Sequence, residues 1–193
     1  MKELLKNSVH DFLNKLGSDS MSPGGGAAGG LAASLGMALL EMTARINAKR
    51  KPGKTPISKI ENLRKKVEAL IDKDAEAFEA IFKAYREDKK SAKFQKALKQ
   101  GALVPFEIAQ ITLKGLELGC VEAGNTSRWL ASDLMESAIL LEAAYFSARL
   151  NVEINLKEIQ DKKFIVTHRR KLDFLERTIK KNKRKIFDEL KTK

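Results

Sequence analysis

The run Ser22-Pro23-Gly24-Gly25-Gly26-Ala27-Ala28-Gly29-Gly30 continues through Leu40 without a charged residue before Glu41. Consecutive glycines weaken a helix that starts on them, by roughly 1 kcal/mol each relative to alanine. A chain keeps them where its backbone must come close to another helix or to a ligand. Ser22 suits an N-cap and Pro23 the first helical position, so the spacing predicts a helix from Gly24 to about Asn47. Its first turn would offer bare amides to an anion or a substrate oxygen. Gly25/Gly29 and Gly26/Gly30 are each four apart, which admits a second helix at short range. The uncharged run approaches the length of a membrane span, but glycine and alanine make it weakly apolar, and it reads as a buried central helix. It is not a phosphate loop: no strand precedes it and no Gly-Lys-Ser/Thr ends it.

Helical periodicity extends outward in both directions. Leu4, Leu5, Val9, Phe12, Leu13 and Leu16 predict a first helix closed near Gly17. Lys49–Pro56 reads as a basic loop. A long apolar stripe from Ile60 to Tyr85 follows, interrupted near Lys89–Lys93. Ala97 to Leu118 predicts a further helix that Pro105 should kink or break. Gly119 and Gly124 bracket a connection, Asn125-Thr126-Ser127 opens a helix to about Leu150, and Asn151–Leu156 reads as a link before a long terminal helix. No stretch alternates as a strand, and neither an internal repeat nor a domain-splitting linker is visible. The expectation is all-α: one domain over residues 1–193, a bundle of about six helices.

The chain of 193 residues carries a net charge of +12 and 43% hydrophobic residues, enough for a real core and too apolar for disorder. From Lys157 onward there are fourteen Lys/Arg against six Asp/Glu, so two-thirds of the excess charge sits at the C-terminal end. A solvated helix face accounts for this better than a nucleic-acid surface, because no aromatic interleaving or nucleic-acid motif accompanies it. The lone Cys120 excludes an internal disulfide, and with an N-terminus unlike a secretory signal it suggests a cytoplasmic setting. His10 and His168 have no ligand-spaced partners, so no metal is expected, and His168 among Arg169-Arg170-Lys171 reads as surface. Trp129 reads as core.

Asp74 is the residue out of place. It falls four after Leu70, four before Phe78 and seven before Ile81, on the apolar stripe. A carboxylate there must be paired, protonated or set in a cleft, and a raised pKa would suit proton transfer near neutral pH. A neighbouring arginine or backbone amide satisfying it is the alternative. Asp72 projects to another side and reads as solvated. Asp133 borders Leu134 and, with Ser132, either lines the same cleft or lies on a helix surface. Asn125 and Ser127 most simply cap a helix.

Together these features resemble the cyclodeaminase/cyclohydrolase family of folate enzymes. The resemblance rests on Pro23-Gly24-Gly25-Gly26 before an Ala/Gly helix, Asp72-x-Asp74-Ala75-x-Ala77-Phe78 and Val104-Pro105-Phe106-Glu107-Ile108-Ala109. It continues with Gly124-Asn125-x-Ser127, Ser132-Asp133-Leu134 and Asn151-Val152-x-Ile154-Asn155-Leu156, in order along residues 8 to 190. It implies a homodimer with the folate site near the subunit interface, a catalytic aspartate at Asp74, and a glycine-rich turn at the pocket edge. The substrate-binding set it supports is Gly24, Gly25, Gly26, Asp72, Asn125, Ser127 and Asp133. Departures are Ala27 in place of a serine, no Leu-Pro-Lys after the Asp74 helix, and Ser147-Ala148-Arg149 where a Gly-Ala pair is common. The expected activity is interconversion of methenyl- and formyl-tetrahydrofolate, or ammonia release from formimino-tetrahydrofolate. Asp74 would serve as acid/base, with no cofactor, nucleic acid or membrane involved. The basic surface would steer in polyglutamate-tailed folates, an idea that a salt-insensitive on-rate would count against. A non-enzymatic helical adaptor or a basic nucleic-acid binder is the rival reading.

Overall fold

The computed structural model describes residues 4–50 and 56–191, so most of the expected basic loop lies outside the described residues. Six α-helices account for nearly all of them: α1 Val9–Leu16, α2 Gly25–Arg50, α3 Ile57–Asp88, α4 Ala92–Ala123, α5 Ala131–Glu158 and α6 Lys162–Lys191. Short 3-10 turns cover Leu4–Lys6 and Arg128–Leu130, and no strand occurs among the described residues. The all-α expectation holds.

Local chemistry sets most boundaries. Ser8 caps α1 by accepting the Asp11 N–H at 3.1 Å, and Gly17 closes it with its N–H on Leu13 O at 2.9 Å. Ser91 caps α4 through the Phe94 N–H at 3.1 Å, which ends the long α3 run where charged residues interrupt the stripe. The start of α2 differs from expectation. Ser22 does not cap it, because its backbone is folded into a turn on Ser20, whose Oγ donates to Ser22 O at 2.8 Å. Gly24 takes the cap position, its carbonyl accepting the Ala28 N–H at 3.1 Å, and the helix begins at Gly25.

α2 is the central element. It packs antiparallel to α3, with Gly26 on Asp74 and Gly30 on Ile71, and antiparallel to α5, with Gly29 on Ser147 and Gly36 on Leu141. A Cβ on Gly29 would stand 2.4 Å from Ser147 Oγ, so glycine is what lets these helices approach. Ser137 Oγ donates to Gly36 O at 2.6 Å and Ser147 Oγ to Gly25 O at 3.2 Å, fastening α5 to α2 at two levels. α2 is apolar and long enough to cross a membrane by composition alone, yet 61% of its most apolar window is buried against neighbouring helices. α4 fills the opposite side of the core, antiparallel to α3 and α5, and α6 covers α4 and α5. Met37, Leu40, Ile60, Leu70, Leu141 and Tyr145 are fully buried in this core. The Tyr145 hydroxyl donates to Leu172 O at 2.7 Å, so its burial leaves no orphaned polar group.

Five expectations are corrected. α4 runs unbroken through Pro105, because the roughly 3 kcal/mol a mid-helix proline costs is offset by buried neighbours such as Ala102, Phe106 and Ile108. Asn151–Leu156 is not a link but the last turns of α5, and Gly119 lies inside α4. The asparagines do not break the helix because each side-chain amide bonds the carbonyl four residues back. Trp129 is 83% exposed, on the 3-10 turn at the α4–α5 corner, where Arg128 lies over its ring. His168 is buried, in register with Leu172 and Leu175, its Nδ1 2.8 Å from Phe164 O and its ring packed between Phe164 and Phe106.

Candidate active site

The N-terminal end of α2, the middle and end of α3, the start of α4 and the end of α5 enclose a cleft of about 580 Å³. Its walls are chemically divided. One end is small and polar: Gly24, Gly25 and Gly26 at the α2 start, Asp74 on α3, Asn151 and Asn155 on α5. The other end is aromatic, because Phe78, Phe82 and Tyr85 recur at helical spacing on α3 and line the cleft together with Phe94 of α4. Phe78 and Phe82 stack at 6.3 Å between centroids, and Tyr85 meets Phe94 at 5.7 Å. Such a division suits a ligand with a flat apolar body and a polar reactive head.

Asp74 sits where the sequence places it. Its carboxylate lies directly over the Gly26 backbone, so close that a Cβ on Gly26 would stand 2.1 Å from Asp74 Oδ2. Gly26 is thus the glycine the site requires. No hydrogen bond or ion pair reaches Asp74 from the described residues, which removes the alternative of a structurally satisfied aspartate. With no partner to hold the charge, burial pushes its pKa up to about 6. The amides of the first α2 turn, which have no intrahelical acceptor, stand beside it at the positive end of the helix dipole. A carboxylate poised near neutrality, beside donors and at the head of an apolar cleft, can accept a proton from an attacking nucleophile or stabilise a cation.

Four other sequence-predicted residues are not in the cleft. Asp72 Oδ1 accepts the Leu4 N–H at 2.9 Å and so pins the N-terminal turn to α3. Asn125, Ser127 and Asp133 lie at the α4–α5 corner, by the opposite end of α2, where Asn47 donates to Glu122 Oε1 at 2.6 Å and to Thr126 Oγ1 at 3.2 Å. From Gly26 to Asn47 the helix rises about 30 Å, so one chain does not bring the two sets together. Asn125 and Ser127 shape the corner, through Asn125 N–H on Glu122 O at 2.8 Å and Leu130 N–H on Ser127 O at 3.0 Å. Asp133 takes the first turn of α5, a favourable place for a carboxylate. Conversely, Asn151 and Asn155 enter the cleft from a stretch whose sequence pattern reads as a link. Their four-residue spacing within one motif was the available signal.

Of the departures from the family pattern, Ser147 and Arg149 do not line the cleft. Ser147 occupies the gap over Gly29, and Arg149 turns away to α6, donating to Asp173 and Glu176, each at 2.7 Å. Ala27 borders the cleft but is buried in a small apolar cluster with Leu4, Phe12 and Ile71.

A family model for formiminotransferase-cyclodeaminase matches residues 8–173. The chain belongs to the formiminotransferase-cyclodeaminase family. Within it, the methenyltetrahydrofolate cyclohydrolase of Methylorubrum extorquens is 28% identical, over 96% of this chain and 97% of that protein. The formimidoyltransferase-cyclodeaminase of Mus musculus is 31% identical over 84% of this chain but only 33% of its own length, so the chain spans about a third of that larger protein. The crystal structure of formiminotetrahydrofolate cyclodeaminase from Thermotoga maritima superposes with a TM-score of 0.91 at 29% identity, covering 98% of both chains. Membership in this family makes the chain an enzyme of the cyclohydrolase and cyclodeaminase kind.

Proposed function

We propose that this enzyme acts on the one-carbon bridge of a tetrahydrofolate, with Asp74 as its acid/base. The observation that carries the proposal is an unpartnered, half-buried carboxylate at the polar head of a cleft whose far end is aromatic. In the cyclohydrolase direction, water attacks the cationic methenyl carbon and gives a proton to Asp74. The tetrahedral adduct then collapses: one carbon–nitrogen bond breaks, Asp74 hands its proton to the departing ring nitrogen, and the adduct's hydroxyl proton is released to solvent as the C=O forms, leaving formyl-tetrahydrofolate. In the cyclodeaminase direction, a folate nitrogen closes on the formimino carbon, and Asp74 relays its proton to the nitrogen that leaves as ammonia. Both routes develop or consume positive charge beside the carboxylate, and the α2 amides would hold a substrate oxygen. The pterin head lies at the polar end, and the aminobenzoyl ring along Phe78, Phe82 and Tyr85.

The test is a paired assay on purified protein: loss of methenyl-tetrahydrofolate absorbance, and ammonia release from formimino-tetrahydrofolate. Acceleration of at least one, abolished in Asp74→Asn, is expected. No acceleration of either above buffer refutes the proposal.

The functional unit on this reading is a homodimer. Leu35, Ala38, Met42 and Ile46 form an exposed apolar ridge along α2, and Ile139, Leu150 and Ile154 are exposed on adjacent α5. Ile154 also lines the cleft, so a partner covering this face would border the folate site. Light scattering should give twice the 21.5 kDa chain mass, and a monomer at micromolar concentration refutes the dimer.

A further inference from the structure

The polar end of the cleft holds two side chains that the acid/base chemistry does not use. Asn151 and Asn155 stand four residues apart on α5, about 6 Å along the helix axis, and both line the cleft. Each is locked by one N–H on the helix backbone: Asn151 Nδ2 donates to Ser147 O at 2.9 Å, and Asn155 Nδ2 to Asn151 O at 2.9 Å. These bonds fix the two amide planes and leave each with an unused N–H and a carbonyl oxygen. Neither carbonyl oxygen accepts a hydrogen bond from the described residues. The surroundings hold the amides in place. Asn155 Oδ1 lies at ordinary contact distance from Gly101 of α4, 3.5 Å from where a Cβ would stand, and Asn151 Nδ2 lies 3.9 Å from the same point on Gly25 of α2. These are half-buried amides kept rigid, in register, and incompletely paired.

A fixed amide presents a donor and an acceptor side by side. Its complement is a ligand edge with an acceptor and a donor side by side, which is how asparagine reads an adenine edge. The charged residues lining the cleft are Asp74 and Glu158, both acidic, so no cationic side chain there competes for such an edge. On the folate reading above, the ligand head is a 2-amino-4-oxopyrimidine ring, whose edges alternate N–H and acceptor atoms. We infer that Asn151 and Asn155 are the specificity-determining residues that read this pyrimidinone edge and thereby bring the one-carbon bridge to Asp74. The division of labour is physical: the amides carry no charge and cannot move a proton near neutral pH, while the carboxylate can.

Asn155→Leu and Asn151→Leu test this, since leucine keeps the branching at Cγ and the helix but neither donates nor accepts. Both sites are only half-buried, and a thermal melt by circular dichroism verifies folding of each. Each variant should raise KM for the turned-over folate about tenfold, with kcat within about twofold of wild type. Selectivity gives a readout that a merely structural role would not move. Wild type should be inhibited by tetrahydropterin about tenfold more strongly than by its analogue lacking the 2-amino group, and at least one leucine variant should lose that preference. An active wild type whose variants keep both KM and the preference overturns this inference and leaves the proposed function standing. A wild type inactive on both folates overturns the proposed function, and this inference with it.

Discussion

Asp74→Asn should make the protein more stable at the pH where it makes it inactive. Burial raises the Asp74 pKa from 3.8 to about 6, and no partner compensates. A rise of about two units corresponds to about 3 kcal/mol, at about 1.4 kcal/mol per unit. Below about pH 4 the carboxyl is protonated in the folded and unfolded chains alike, and the burial costs nothing extra. Between about pH 4 and 6 the folded chain retains a proton that the unfolded chain has released, so stability falls as pH rises through this window. Above it the folded state carries the whole penalty. Asparagine has the same shape and cannot ionise. Urea unfolding of both proteins should therefore give equal stabilities near pH 4 and a variant about 3 kcal/mol more stable near pH 8. With the slope typical of a chain this size, the midpoint moves by about 1 M. Every other titrating group is common to both proteins and cancels in the difference. A difference that is the same at both pH values, or a variant less stable at pH 8, would refute the argument that Asp74 is an unpartnered buried carboxylate.

Three further outcomes follow from the same geometry. The kcat/KM of the active folate should fall tenfold per unit on the acid side of an apparent pKa of about 6, and the corresponding limb of kcat should lie lower, because a bound cation favours the ionised carboxylate; a profile flat from pH 5 to 8 would contradict this. Gly26→Ala forces the Asp74 carboxylate aside and should lower kcat about 100-fold with little change in helical signal, measured by steady-state turnover and circular dichroism. Arg149→Ala removes a partly buried hub between Tyr145, Asp173 and Glu176 and should cost about 2 kcal/mol in urea unfolding without altering KM, since the side chain points away from the cleft.

What was legible in the sequence is what breaks a local rule. A glycine triplet at a helix start and an aspartate on an apolar stripe both contradict the element they sit in, and such conflicts can be seen one residue at a time. The structure shows that they are one feature: Gly26 lacks a side chain because Asp74 lies over its backbone. That pairing depends on the register of α2 against α3, which no periodicity within either helix contains. The same limit explains the misplaced residues. Asn125, Ser127 and Asp133 carry site-like chemistry, but their position follows from the length of α2, which separates them from Asp74 by about 30 Å. Asn151 and Asn155 fall in a stretch that reads as a link, yet it stays helical: the weak helix propensity of asparagine is overridden by their bonds to the helix backbone and by the burial of Val152 and Leu156. Trp129 and His168 exchanged places for a related reason. Composition assigns a tryptophan to the core and a histidine among arginines to the surface, whereas the position of each on its own turn decides which way it faces. Where helices meet only through backbone and small side chains, contacts leave little trace in hydrophobic pattern. The glycine that permits the contact is then the one sequence-level sign that a site is there.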